Sequence, residues 1–129
     1  MKQAFSSIVA AFALVASPLT AAVPASQPVL SVAQQTALHC SAVFGVAAGL
    51  QQRHVRGSEH WPQLETGGKA FFVQTLARLM DETGASRDQI AALVQADGHR
   101  VASAIVADRD PIAATTAALA PCLPLLNPR

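Results

Sequence analysis

The sequence contains no tyrosine, and its β-branched residues nowhere alternate with polar residues over the length of a strand. Such alternation is the pattern of half-buried strands, so its absence argues against a sheet. Alanine is instead abundant, and alanine is the strongest helix former. The composition therefore predicts an all-α fold.

The chain also lacks an excess of charge of either sign. It has 9 lysine and arginine residues against 8 aspartate and glutamate residues, and loss of Lys2 with an N-terminal signal would balance them. Proteins that bind nucleic acid or anionic membranes need a local excess of basic side chains. The longest basic cluster, residues 53–56, is typical of a solvated helix end. We therefore expect no nucleic-acid partner and no membrane partner.

The N-terminus has no apolar run long enough to anchor the chain in a membrane. Residues 4–16 are apolar apart from two serines, follow Lys2 and end before Pro18. A bilayer span needs about 20 apolar residues, whereas this pattern is typical of a cleaved secretory signal. Small residues favour cleavage after Ala22, with Ala25 as the alternative, and no cysteine follows either position to carry a lipid. We expect a periplasmic or secreted protein.

Cleavage after Ala22 leaves about 107 of the 129 residues, which suffice for one domain and are too few for two. We predict a signal peptide over residues 1–22 and an extended leader over residues 23–30. A single helical domain over residues 31–126 and a tail over residues 127–129 complete the chain.

Turn and cap signals divide this domain into four predicted helices. The first begins near Ser31 and ends between residues 53 and 57. Three glycines and a proline predict a loop over residues 57–68, so the second helix begins at about Lys69. It ends at Gly84, where a left-handed cap favours glycine.

The third helix begins at Ser86, because Gln89 completes a capping box with it. Residues 97–98 form an Asp-Gly turn signal, but apolar periodicity continues beyond them, and we prefer one continuous helix. Asp110 and Pro111 predict the N-terminus of the fourth helix. The sequence thus predicts a small antiparallel four-helix bundle, followed by a kinked terminal segment that contains two prolines.

The only two cysteines, Cys40 and Cys122, stand near opposite ends of the predicted domain. In an oxidising compartment an even count predicts a disulfide, and closing so long a loop stabilises a fold by about 4.5 kcal/mol on the chain-entropy model. The alternative is a redox pair, but catalytic dithiols usually stand two residues apart. We predict a structural disulfide.

One polar pair falls on the predicted apolar faces. Helical periodicity places six apolar residues of the first helix on one arc: Val32, Cys40, Val43, Val46, Ala47 and Leu50. His39 lies within that arc, and Asp97 lies on the apolar face of the third helix. Pairing the two side chains would reduce the desolvation penalty of each, which suggests a buried pair and a pH switch. Alternatively, His39 bonds a backbone carbonyl and Asp97 turns the chain.

No residue set reaches the specificity of a catalytic or cofactor motif, so we predict no catalytic residues, no cofactor and no metal site. The nearest set to a metal site is His54, Glu59, His60 and His99, whose spacing matches no standard centre. Four large apolar residues, Trp61, Phe71, Phe72 and Met80, are expected in the core, with a ligand pocket as the alternative. Trp61 and Leu64 are expected to tuck against the core from the loop.

The chain resembles known proteins in two respects, one in local sequence and one in overall layout. The run from Phe71 to Arg87, together with Cys40 and Cys122 in their local contexts, resembles small exported helical two-cysteine proteins of Gram-negative bacteria that are called hypothetical. That resemblance implies no active-site residues for this chain. In layout, the chain is also similar to the periplasmic acid-stress chaperones, which expose apolar surface at low pH. This second similarity implies an acid trigger, although the chain has only 8 acidic residues and no strongly charged tail.

These observations predict a non-enzymatic protein that binds a protein partner or a small apolar ligand, in an apolar groove between its helices or on a dimer face. One alternative is a chaperone resembling the periplasmic acid-stress proteins. Another is a metal-binding protein or enzyme that uses the histidines of the loop. A contiguous apolar surface would favour the binding protein, whereas a cluster of His54, Glu59, His60 and His99 would favour the metal site.

Overall fold

A helical bundle forms the part of the chain that the computed structural model describes, residues 26–127. Four α-helices follow one another: α1 (Val32–Gln52), α2 (Leu64–Thr83), α3 (Arg87–Ala107) and α4 (Pro111–Leu119). Two single 3₁₀ turns lie at Ser58–His60 and Leu123–Leu125, and residues 26–127 contain no strand. The predicted all-α four-helix bundle is confirmed. The predicted signal peptide, both of its candidate cleavage sites and residues 128–129 lie outside the described residues.

Helix α1 is the central element, because it packs against each of the other three helices. Its N-terminus is a capping box, in which the Ser31 hydroxyl accepts from the Gln34 amide and the Gln34 side chain accepts from the Ser31 amide. Its buried face differs from the predicted arc at one end. Val32 was expected in the core, but it is 80% exposed, because none of residues 26–127 covers the first turn of the helix on that side.

Helix α2 begins at Leu64, earlier than the predicted start at Lys69. The prediction was wrong because Gly67 and Gly68 were interpreted as loop residues, and glycine is unfavourable within a helix. Tertiary contacts override that preference: a Cβ atom on Gly68 would lie 3.2 Å from the Cβ of Phe44, so glycine allows α2 to approach α1 closely. Gln51 of α1 also accepts a hydrogen bond from the Leu64 amide at 3.2 Å.

The connection from α2 to α3 follows the sequence signals. Gly84 caps α2 with a φ of 68°, in the left-handed region. Ser86 and Gln89 form the expected capping box at the start of α3. Helix α3 then runs without interruption through Gly98, as preferred from its apolar periodicity. Asp110 caps α4 by accepting two backbone amides, and Pro111 occupies the first helical position, so these predictions are also confirmed.

The core consists of two apolar clusters along α1. The larger one centres on Phe44 and contains the Cys40–Cys122 disulfide, which joins α1 to the C-terminal segment with a Cα–Cα distance of 5.3 Å. Trp61 and Leu64 are buried in this cluster, as predicted. The smaller cluster contains Leu38, Leu79 and Ile90, with partly buried apolar neighbours around them. Within residues 26–127, no helix has both the length and the hydropathy that a membrane crossing requires.

Candidate functional site: an apolar cleft and a buried carboxylate

A cleft of about 590 Å³ opens between α1, α2 and α3. Most of its lining is apolar or small, and its central residues are Ala42, Gly45, Val46, Phe72, Val94 and Gly98. We call this space the apolar cleft. Helices α2 and α3 share the smaller core cluster near the turn that joins them. The cleft lies on the side of that cluster toward Gly68 and Gly98, with α1 between the two helices.

Two glycines in the lining contribute no side chain to the cleft. Among the described residues, a Cβ atom on Gly45, which is exposed, or on Gly98, which is half-buried, would meet no atom within 4 Å beyond its own local backbone. Gly68 lies in the same wall, but it serves packing, since its Cα abuts Phe44. Phe44 is in turn held by an edge-to-face contact with Phe71, with ring centroids 5.3 Å apart. The cleft thus lies beside a tightly packed part of the α1–α2 contact, at Phe44 and Gly68.

Polar side chains stand at one end of the apolar cleft. Gln52 of α1, with Glu65 and Lys69 of α2, lies around this end, and all three are exposed. Leu38 and Val94 lie in the opposite, apolar part of the lining. Ser41 also lines the cleft, but its hydroxyl donates a hydrogen bond to the Ala37 carbonyl at 2.9 Å. The charged groups of the cleft therefore lie at one end, the arrangement that suits a molecule with one polar end.

Only one of the four residues considered for a pocket lines this cleft. Phe72 does so, while Phe71 packs on Phe44 and Met80 packs on the smaller core cluster. Trp61 is buried, and its indole nitrogen donates a hydrogen bond to the Thr116 hydroxyl at 2.9 Å. The sequence suggested an apolar groove between helices but did not locate it. A signal for it existed, because an isolated glycine inside a helical pattern costs stability and calls for a reason.

A second cavity, of about 840 Å³, lies on the opposite side of Leu38 and contains the predicted polar pair. We call it the Asp97 cavity; its walls include Leu30, His39, Leu93, Asp97, Arg100 and Pro121. The structure brings His39 and Asp97 together, with Nδ1 of His39 3.7 Å from Oδ2 of Asp97. The expectation that both side chains enter the core holds only for Asp97, which is 5% exposed, whereas His39 is 47% exposed. His39 lies at the edge of the buried face of α1.

The two oxygens of the Asp97 carboxylate differ in their partners. Its Oδ1 atom pairs with the guanidinium of Arg100, one turn further along α3. Its Oδ2 atom is buried and has no hydrogen-bond partner within residues 26–127. Buried polar atoms in folded proteins nearly always have a partner, so an orphaned carboxylate oxygen requires an explanation.

The four residues considered for a metal site are not grouped. Within residues 26–127, no three histidine, cysteine, aspartate or glutamate side chains lie close enough to hold a metal ion. His60 and Glu59 approach each other to 3.8 Å on the surface, and His99 lies on α3. Hydrogen bonds from the backbone amides of Glu59 and Gly57 lower the pKa of the Glu59 carboxyl. The geometry therefore gives the metal-site alternative no support.

Two candidate sites adjoin α1, the apolar cleft and the charged Asp97 cavity. Within residues 26–127, neither site gathers a set of metal ligands. The chain matches no protein-family model, no curated protein and no solved structure, so its function must be inferred from this geometry.

Proposed function

We propose that this protein binds one slender apolar molecule in the apolar cleft, without catalysing a reaction. The observation that carries the proposal is the open volume beside Gly45 and Gly98, in an interior lined by apolar side chains. The cleft volume of about 590 Å³ falls within the roughly 300–1,000 Å³ that is typical of small-molecule sites. Apolar surface that a ligand buries there contributes about 25 cal/mol per Å² before the costs of association.

The length of the cleft suits a linear molecule. Its α1 wall extends from Leu38 to Gln52, about 21 Å at a rise of 1.5 Å per residue. An alkyl chain laid along that wall would contact apolar lining residues of α1, α2 and α3, whereas a globular molecule would contact only part of it.

The polar end of the cleft gives the ligand an orientation. An alkyl chain with a terminal polar group would place its chain beside Gly45 and its polar group near Gln52 and Lys69. The proposal therefore commits to a single-chain amphiphile. It leaves the polar group itself to be identified by the test.

The test uses the neutral fluorophore N-phenyl-1-naphthylamine, whose emission rises in an apolar site. We expect saturable binding, and displacement by linear 1-dodecanol but not by the globular 1-adamantanol. Displacement by both alcohols to the same extent would contradict the preference for a linear molecule. An absence of binding by fluorescence and by native mass spectrometry would contradict the proposal as a whole.

A matched pair of variants locates the site. Gly45→Leu fills the cleft, while Gly67→Leu makes the same change on α2, where a Cβ atom also meets nothing within 4 Å and which is outside the cleft lining. Both changes replace a helical glycine, so each should raise helix stability by up to about 1 kcal/mol. We expect Gly45→Leu to weaken binding at least tenfold, or about 1.4 kcal/mol. Equal losses in the two variants would exclude this cleft as the site.

A further inference from the structure

Within residues 26–127, Asp97 is the one buried ionisable side chain, and the binding proposal does not use it. Its side chain is 5% exposed, Oδ1 pairs with Arg100, and Oδ2 has no hydrogen-bond partner among the described residues. Oδ2 is buried, so a group of the chain that already lies beside it is the nearest candidate partner.

The group that faces Oδ2 is the imidazole of His39, which approaches from α1. Its Nδ1 atom lies 3.7 Å away, slightly beyond the hydrogen-bond range of about 2.7–3.2 Å, and a small side-chain shift would close the gap. The segment before α1 contributes Pro28 and Leu30 to this cavity, and the C-terminal segment contributes Pro121 and a disulfide-bonded cysteine. None of these four titrates. His39, Asp97 and Arg100 are the charged or titratable groups in the lining.

Protonation decides the strength of this contact. A neutral imidazole can donate from Nδ1 only in one tautomer, whereas the imidazolium donates from both nitrogens and adds a positive charge. Arg100 is the other charged side chain beside the carboxylate. It is 73% exposed and pairs with the other carboxylate oxygen, so solvent screens its charge.

We infer that His39 and Asp97 form a proton-dependent latch, which closes in acid and joins α1 to α3. The latch lies in the wall shared by the two cavities: Leu38 lines both of them, and Gly98, next to Asp97, lines the apolar cleft. It does not depend on the proposed ligand, because the contact is complete within the chain. Its direction is opposite to that of the acid-stress chaperones, which open at low pH.

The test compares His39→Gln with the wild-type protein by urea unfolding at a pH of about 5 and of about 8, on either side of the ordinary histidine range. We expect the substitution to raise the unfolding equilibrium constant about three- to fivefold in acid, as for a partly exposed charge pair, and to change it little in base. The matched control is His99→Gln, since His99 is an exposed histidine on α3. It should show no such difference between the two conditions.

His39→Lys supplies a second measurement that leaves the buried carboxylate intact. Because lysine keeps its charge at both pH values, His39→Lys should be more stable than His39→Gln at a pH of about 8 as well. An equal effect of His39→Gln at both pH values would overturn the latch. A larger effect in base, or a His39→Lys protein no more stable than His39→Gln, would overturn it equally.

Discussion

The apolar cleft and the Asp97 cavity meet at Leu38 of α1 and differ in what lines them. The lining of the cleft is mostly apolar and includes Gly45 and Gly98, which contribute no side chain. The Asp97 cavity contains a buried carboxylate, one oxygen of which has no hydrogen-bond partner within residues 26–127. A mostly apolar lining suits an apolar molecule, whereas a buried charge requires a partner. The two sides of α1 therefore have different tasks.

The largest expected effect concerns the disulfide, which forms part of the wall of the Asp97 cavity and lies outside the lining of the cleft. Replacing Cys40 and Cys122 together with alanine should lower the free energy of unfolding by about 4 kcal/mol, because the unfolded chain regains the freedom that the long loop had lost. Urea unfolding without reductant measures this loss. A loss below about 1 kcal/mol would show that the cross-link restrains little.

The second prediction tests whether the buried Asp97 carboxylate stabilises the fold. Asp97→Leu should raise the free energy of unfolding by about 1–2 kcal/mol at a pH of about 8, because it removes a buried charge with an orphaned oxygen and improves helix propensity. Arg100 loses its partner, but it is exposed and can be solvated. The control is Asp81→Leu, at an exposed position of α2, which should gain only the propensity difference of about 0.5 kcal/mol. A marked loss of stability in Asp97→Leu would assign the carboxylate a structural role instead.

The smallest expected change in stability comes from replacing two glycines, one that faces open space and one that contacts a neighbouring helix. Gly98→Ala should stabilise the fold by up to about 1 kcal/mol, since its Cβ atom meets nothing and alanine is the better helix former. Gly68→Ala should instead destabilise it by about 1 kcal/mol, because the new atom would lie 3.2 Å from the Cβ of buried Phe44. Thermal or urea unfolding of the two variants gives the comparison. Two changes of the same sign would remove the distinction between these glycines.

Local signals predicted much of the fold because their partners are close in sequence. The capping box of Ser86 with Gln89, the cap at Gly84 and the start of α4 at Asp110 each depend on hydrogen bonds within a few residues. The start of α2 was predicted too late for the opposite reason. Gly68 disfavours a helix locally, and only its contact with Phe44, across the bundle, makes glycine suitable there.

The candidate sites were predictable to different degrees. His39 and Asp97 were recognisable because a polar residue on an apolar face is a visible exception to a pattern. Their distance could be anticipated, but the exposure of His39 could not, since it depends on how far the covering elements extend. An apolar groove between helices was proposed only in general terms. Its position and lining were not predicted, because a sequence records the residues present and does not record the space between them.

By itself the sequence determined the helices, most of their ends and the pair of cysteines available for a cross-link, since these follow from backbone propensity, caps and composition. Tertiary structure alone decided where helices part, which glycine faces a neighbour and which faces a void, and which oxygen of Asp97 is left without a donor. The physical reason is that close packing is a property of surfaces brought together by the whole fold. A gap or an unpaired atom is defined only once every neighbour is in place.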